Sequence, residues 1–528
     1  MSTATLSFIV IIYLFIVAVL GYLGYRGTKN ASDFLLGGRN VNSFLMAFTY
    51  GATFISTSAI VGFGGFAAAY GMGIQWLCML NVLVGVIIAF IFFGKRTRRL
   101  GAKHDAKTFS QLLGLHYNSK HIKIFVATLI FIGMPIYAAV VMKGGAVFIE
   151  EIFKIDYNIA LLIFTLIVAA YVISGGIKSV LYTDAFQGMI MVVSMALLFI
   201  FFYNKMGFGF AEGNRQLTNL FSNPDVASTV PQSFIDRGFQ GWTKMPIFNS
   251  PQWYTLVTSL ILGVGIGCLA QPQLAVRFMM VKSDKQISRG ILIGCVFIFL
   301  TVGTIYHIGP LTNLYFWKTE GTISAMVPAI NGDIDKIIPY FINSAMPIWF
   351  SAVFMLCMLS AGMSTLSSQF HTMGAALGAD IIPEIKEKRE KKFSLGVRFG
   401  IICSLLISFV VCYALSGSII ARGTALFMGI CAATFLPTFF CSLYWKKATK
   451  TAALASLYTG ALASLFCMVF LHKAESAPIG LCNALFGRDM LIDVYPWFAI
   501  DPIIFALPLS TAAIILVSVF GKKTETAT

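Results

Sequence analysis

Long apolar stretches separated by short polar segments dominate this sequence. The stretches of 17 or more residues lie at 5–25, 43–70, 74–94, 122–149, 157–174, 181–203, 254–280, 289–312, 343–378, 394–415, 420–444, 451–472 and 497–520. Each is long enough to cross a hydrocarbon core of about 30 Å as a helix. Backbone polar groups at that depth must be satisfied within helices. The pattern therefore predicts an all-α polytopic membrane protein with about thirteen transmembrane helices, numbered spans 1 to 13 in chain order.

The composition agrees with a chain that faces lipid. Hydrophobic residues make up 58% of the 528 residues, charged residues make up 11%, and the mean hydropathy is +0.82. A soluble domain carries roughly 25% charged residues. The net charge of +16 would suit a nucleic-acid partner, but the basic residues lie in short loops between apolar stretches. We therefore expect a lipid bilayer around the protein and no nucleic-acid partner.

The basic residues also predict an orientation. With the N-terminus outside, the odd-numbered loops and the C-terminal tail are inside, and these segments hold 27 of the 38 lysines and arginines. Arg277 is counted here with the inner loop after span 7. The positive-inside rule then places the N-terminus outside and the C-terminus in the cytoplasm. We expect a multi-pass protein of the plasma membrane, the inner membrane of a prokaryotic cell.

Glycines interrupt spans 2 and 7. Gly51 lies mid-membrane in span 2, and Gly263, Gly265 and Gly267 alternate before Pro272 in span 7. Interrupted helices at matching positions of two halves indicate a secondary transporter of inverted repeats with its site at the midplane. Glycines also let membrane helices pack closely, so both interpretations stay open.

The spacing of these spans divides the chain into five segments. They are an extra transmembrane helix with a cytoplasmic loop (1–42), a first repeat (43–203), an extracellular loop (204–253), a second repeat (254–445), and extra helices with a short cytoplasmic tail (446–528). The sequence contains no GxxxxGK[ST] phosphate-binding motif. An ion gradient is therefore the expected energy source. A channel or a transporter-like sensor is the alternative from another class, and no enzyme activity is expected.

A cluster of hydroxyl groups lies in span 9 among apolar residues. Its members are Ser364, Thr365, Ser367 and Ser368. On a helix, positions 361, 364, 365 and 368 share one face. Hydroxyl and freed carbonyl oxygens are suitable ligands for a sodium ion. Serine and threonine also bond back to a preceding carbonyl and mediate helix packing, so the residues alone leave both roles open.

Two ionisable residues lie within apolar stretches. Asp184, near the start of span 6, either belongs to an ion site or caps the helix N-terminus beside Thr183. Lys143 is the only lysine well inside a span. It either snorkels to the outer interface or pairs with a carboxylate of the substrate.

Four segments of the sequence resemble the sodium/solute symporter family. They are Gly51–Ser56, Ser174–Lys178 with Thr183–Asp184, Gln271–Pro272 with Val276–Met279, and Ala361 with Ser364–Thr365. They occur in the family's order and spacing, and the similarity covers roughly 5–470. Family members carry proline, pantothenate, sugars, sialic acid or monocarboxylates together with sodium. The resemblance implies a leucine-transporter-like fold, with a ten-helix core of two inverted five-helix repeats.

The resemblance also implies how sodium is held. A first site between spans 2 and 9 would use main-chain carbonyls and hydroxyls, those of Ala52, Ile55, Ala361, Ser364 and Thr365. Some members hold a second sodium ion, and the residues that match that pattern are Asp184, Ser364, Ser367 and Ser368. Sodium is thus expected as the coupling ion, with no other cofactor. The sodium stoichiometry and the oligomeric state stay open.

The break in span 2 favours an organic anion as the solute. Proline carriers of the family have an aspartate where this chain has Phe54, and sugar carriers have polar residues where Ala59 stands. The run Ala52–Gly73 is most similar to the pantothenate and monocarboxylate carriers. The expected contacts of a small organic solute come from this break and from span 4: Phe54, Ser56, Ser58, Ala59 and Lys143. A proline-like amino acid or a sugar is the alternative.

Overall fold

The computed structural model describes residues 3–28, 31–174, 176–382, 390–415 and 417–521. Within these ranges the chain forms helices joined by turns and loops, with an isolated β-bridge between Val41 and Val281. The terms inner and outer below follow the predicted orientation. The predicted all-α architecture is confirmed over the described part of the chain.

Every predicted span has a helical counterpart in the described ranges. The long apolar helices are Thr5–Arg26, Met72–Lys103, Lys120–Phe153, Ile177–Met206, Pro251–Met279, Asp284–Glu320, Ile348–Ile381, Ser394–Ala414, Ile420–Tyr444, Lys450–Leu471 and Ile503–Phe520. Span 2 is a bent pair, Ser43–Phe54 and Ser58–Tyr70, and span 5 is the shorter helix Tyr157–Ile173. The bounds of the two repeats, 43–203 and 254–445, stay predictions.

Several helices continue beyond their apolar stretches, because a helix end depends on capping and on local contacts as well as on hydropathy. Span 3 continues to Lys103, and span 8 begins at Asp284. Asp284 forms ion pairs with Arg98 at 2.6 Å and with Arg99 at 2.5 Å, which hold these two inner ends together. Because these helix ends are polar, the apolar stretches in the sequence do not include them.

Span 2 is broken between Phe54 and Ser58, where the chain bends by 58°. Ile55 ends the first half with an extended backbone, at φ −89° and ψ 108°. The Oγ of Ser56 accepts a hydrogen bond from the Ser58 N–H at 3.2 Å, and Thr57 Oγ1 donates to the Val141 carbonyl at 2.6 Å. The first bond satisfies one backbone N–H freed by the break, as a discontinuous membrane helix requires, and the second joins the break to span 4.

Span 7 is interrupted at Gln271, whose backbone is extended between a 3₁₀ turn and the helix Pro272–Met279. Its glycines lie before this interruption and serve close packing. A Cβ on Gly267 would lie 2.5 Å from the Met428 carbonyl oxygen, so only glycine lets span 11 approach this closely. Span 7 therefore combines an interruption with packing glycines, the two interpretations that the sequence left open.

The centre of the bundle is enclosed on both sides. All residues from 49 to 69 are buried. On the outer side, a Cβ on Gly65 would lie 2.1 Å from the Ile334 carbonyl oxygen, so the outer 3₁₀ helix Ile334–Lys336 lies directly against span 2. On the inner side, Asp380 at the end of span 9 accepts hydrogen bonds from Thr108 and Gln111, each at 2.8 Å.

Candidate functional site

The hydroxyl groups of span 9 meet the end of the first half of span 2. Ser364 Oγ lies 2.8 Å from the Ala52 carbonyl oxygen, and Thr365 Oγ1 lies 3.2 Å from that of Thr53. Carbonyls in the last turn of a helix have no partner within the helix. Here the break in span 2 creates such carbonyls at the middle of the bundle, and the side chains of span 9 bond to them.

Four of the five residues of the predicted first sodium site therefore lie close together. Ser364 Oγ also lies 3.4 Å from the Ala361 carbonyl oxygen, and Thr365 Oγ1 lies 3.4 Å from that of Ala52. Ile55 follows three residues after Ala52, where the chain leaves the helix. The donor set consists of neutral oxygens from two elements, a chemistry that fits sodium. The role of these five residues as ligands stays a prediction.

Asp184 lies inside span 6 and does not cap its helix. The helix begins at Ile177 after the N-cap residue Gly176, so Asp184 is two turns further along. Its side chain is fully buried. The capping alternative from the sequence is therefore wrong, because the helix starts earlier than the apolar stretch suggests.

A buried arginine pairs with this carboxylate. Arg277 Nη2 lies 2.5 Å from Asp184 Oδ2 and 2.8 Å from Thr53 Oγ1, and it also donates to the Ser368 hydroxyl. Only 2% of Arg277 is exposed. Its assignment to the inner loop by the charge count is wrong, because Arg277 lies in the buried helix Pro272–Met279 that follows the interruption at Gln271.

Two serines of the predicted second sodium site, Ser367 and Ser368, lie beside Asp184, whereas the Ser364 hydroxyl is directed to main-chain carbonyls of spans 2 and 9. Ser367 Oγ is 3.4 Å from Oδ1, and the hydroxyls of Ser368 and Thr53 are each 3.5 Å from Oδ2. Sequence reasoning missed Thr53 and Arg277 in this cluster. A signal for Arg277 was present, since it is a lone charge within the apolar run 274–281.

The residues predicted to contact the solute surround the break of span 2. Phe54 is buried against Gly85, whose added Cβ would lie 2.9 Å from the phenyl ring. Ser56 and Ala59 are also buried. The hydroxyl of Ser58 is buried and has no hydrogen-bond partner among the described residues. A solute bound here would find an unsatisfied hydroxyl at the start of the second half-helix.

Lys143 is buried in span 4, with 4% of its surface exposed. Its ammonium donates to the main-chain carbonyls of Gly417 at 2.6 Å and Leu415 at 3.3 Å, in the connection between spans 10 and 11. The ammonium thus contacts protein carbonyls, where snorkelling would place it among lipid headgroups. Its predicted pairing with a solute carboxylate stays a prediction.

A discontinuous helix at the centre of a buried bundle, with oxygen ligands gathered at its break, defines the class of ion-coupled secondary transporters. Residues 34–460 match the model of the sodium:solute symporter family, and the chain belongs to this family. The sodium/proline symporter of Staphylococcus aureus (strain JH9) is 25% identical over 506 residues, which cover 93% of this chain and 90% of the relative.

Two solved structures have the same architecture. A sodium-coupled sialic acid symporter in a substrate-bound outward-open state gives a TM-score of 0.74 at 16% identity, over 99% of this chain and 98% of that chain. The nucleobase-cation-symport-1 family transporter Mhp1, in a closed conformation, gives 0.53 at 13% identity over 93% and 96%. These likenesses confirm the leucine-transporter-like fold. The family and the fold together make this protein a sodium-coupled solute symporter of the membrane.

Proposed function

We propose that the protein imports a small organic anion, a monocarboxylate or a pantothenate-like acid, together with sodium by alternating access. The observation that carries this proposal is the chemistry of the break in span 2. Residues 54–59 contain no ionisable side chain, and the buried Ser58 hydroxyl at the start of the helix Ser58–Tyr70 has no partner among the described residues. The positive end of a half-helix favours a carboxylate.

A zwitterionic amino acid is the second candidate, because curated relatives carry the name sodium/proline symporter. Such a solute brings an ammonium group as well as a carboxylate, and burying that ammonium without a partner is costly. The proline carriers have an aspartate at the position of Phe54, which here is an apolar side chain packed against Gly85. This difference favours the anion.

Sodium binding at the first site supplies the coupling in this proposal. Carbonyls of span 2 and hydroxyls of span 9 would hold the ion, so its binding favours the arrangement in which the two spans are together. Coupling requires only that sodium binds the substrate-competent arrangement more tightly than the others. Each transported charge contributes about 2.3 kcal/mol per 100 mV of membrane potential.

Uptake into proteoliposomes tests the proposed solute class. An inward sodium gradient should drive accumulation of a labelled monocarboxylate or of pantothenate, whereas an equal potassium gradient should not. The neutral amide of the same acid is the matched competitor, and we expect it to inhibit far less than the acid. Sodium-driven accumulation of proline with no uptake of the acids would instead establish the zwitterion.

A further inference from the structure

The predicted second sodium site already contains a fixed positive charge. One terminal nitrogen of Arg277 contacts Asp184, Thr53 and Ser368, which belong to spans 6, 2 and 9. A terminal guanidinium nitrogen carries only two hydrogens, so it cannot donate fully to three oxygens. The Thr53 and Ser368 hydroxyls can donate their own hydrogens to Asp184, so all three oxygens can present lone pairs to a cation at this position, either the guanidinium or a sodium ion.

The other terminal nitrogen of Arg277 supports the same interpretation. Nη1 is buried and has no hydrogen-bond partner among the described residues. A buried donor without a partner is costly, so the pocket is not built to satisfy a guanidinium. The pairing with Asp184 is what holds Arg277 in place.

Charge balance makes Arg277 and a sodium ion exclude each other. Asp184 and Arg277 are both buried, and together they are neutral. A sodium ion added beside both would leave an uncompensated positive charge in a medium of low dielectric constant, next to a like charge. A sodium ion that replaced the guanidinium at Asp184 would keep the site neutral.

We propose that Arg277 is a tethered competitor for the second cation site: the Asp184 carboxylate pairs either with Arg277 or with sodium. Exchange of the two would move the helix Pro272–Met279, which carries Arg277, relative to the hydroxyls of span 9. The competition therefore links occupancy of the second site to the position of the interrupted span 7. This inference rests on the proposed sodium coupling through the adjacent site at Ser364 and Thr365.

Binding of radioactive sodium to the purified full-length protein tests this competition. Arg277→Gln should bind a second sodium ion at a concentration at least about tenfold lower than the wild type requires, because the competing charge is gone. The double variant Asp184→Asn/Arg277→Gln should lose this additional binding. Arg98→Gln, an inner arginine paired with Asp284 outside the site, is the matched control and should bind sodium like the wild type.

The outcomes separate this inference from the proposed first site. Unchanged or weaker sodium binding in Arg277→Gln overturns the competition, as does additional binding that persists in the double variant. If Arg277→Gln does not fold, Arg277→Lys decides: its mobile point charge should compete less well, and an unchanged sodium affinity overturns the proposal. Failure of the first site would appear instead as unaltered sodium binding in Thr365→Ala, because Thr365 belongs to the first predicted site alone.

Discussion

Two buried basic side chains in this bundle have different kinds of partner. Arg277, on the inner part of span 7, faces a carboxylate and two hydroxyls. Lys143, on the outer part of span 4, faces the main-chain carbonyls of Leu415 and Gly417. The carboxylate at Arg277 can exchange one cation for another. The carbonyls that Lys143 contacts belong to the connection between spans 10 and 11, so this contact joins span 4 to that connection on the outer side.

The largest effect is expected at the inner pair. Asp184→Asn leaves the Arg277 guanidinium buried without its counter-charge, a change that costs about 3–5 kcal/mol. The measurement is the thermal stability of the detergent-purified protein. The double variant Asp184→Asn/Arg277→Gln is the control, and it should recover most of the loss. If Asp184 also takes part in a second sodium site, its variant should transport less charge per solute.

Two results would contradict this view of Asp184. If Asp184→Asn were as stable as the wild type, the Asp184 carboxylate would not be the main partner of Arg277. A wild-type ratio of charge to solute flux would mean that Asp184 holds no transported sodium.

A smaller effect is expected at Lys143. Lys143→Gln loses charge-assisted hydrogen bonds to two carbonyls, worth roughly 1.5–3 kcal/mol. If the carbonyls in the connection between spans 10 and 11 are the functional partners of Lys143, transport of an anionic solute and of its neutral amide should change by the same factor. The measurement is the uptake kinetics of both compounds in Lys143→Gln and in Lys143→Arg. A loss confined to the anion would establish the pairing with a solute carboxylate that the sequence predicts.

The hydroxyls of span 9 lie next to the inner pair and carry no charge, so their effect is smaller again. Ser364→Ala and Thr365→Ala each remove a neutral oxygen, worth about 0.5–1.5 kcal/mol. Each should raise the sodium concentration for half-maximal uptake by roughly two- to tenfold. Ser408→Ala is the matched control, since that hydroxyl bonds only back to the Ser404 carbonyl within span 10 among the described residues. Unchanged sodium dependence in both variants, with normal surface expression, would remove the first-site assignment.

The sequence predicts the spans well for a physical reason. A helix that crosses lipid must be long and apolar, so the hydropathy pattern specifies it almost directly. The predicted first site takes two hydroxyls, Ser364 and Thr365, from the local cluster in span 9 and combines them with a break in span 2 that the family resemblance aligns; its role stays a prediction. The cluster and the break are both visible without tertiary information.

The partners of Arg277 and Lys143 could not be predicted from the sequence. Arg277 lies beside inner-loop lysines in the sequence, and only the interruption at Gln271 and the following helix carry it to Asp184, 93 positions away. Lys143 reaches a carbonyl 274 positions away at Gly417. Such pairings depend on how the helices pack, which residue type and local periodicity do not specify.

The smallest effect is expected from pH at the outer side. Asp335 lies in the outer helix Ile334–Lys336, and its Oδ2 accepts a hydrogen bond from the Ile420 N–H at 3.3 Å. The pKa of its carboxyl is raised to about 7, first by burial and then by the neighbouring Asp333, whereas the Ile420 N–H and Lys143 oppose the shift. The buried arrangement therefore binds a proton more tightly than an exposed aspartate, whose pKa is about 3.9.

The sign of the pH dependence follows from this difference. Between about pH 4 and 7 the buried carboxyl is protonated and an exposed one is ionised, so acidification stabilises the buried, closed arrangement by up to about 1.4 kcal/mol per pH unit. Above about pH 7 both forms are ionised and the dependence ends.

Lowering the external pH from about 7.5 to 5.5 should therefore slow sodium-driven uptake, because the outer side must open in each cycle. Asp335→Asn should be insensitive to pH in this window, and Asp333→Asn should shift the onset to lower pH. Identical profiles in the wild type and Asp335→Asn would mean that Asp335 stays buried throughout transport.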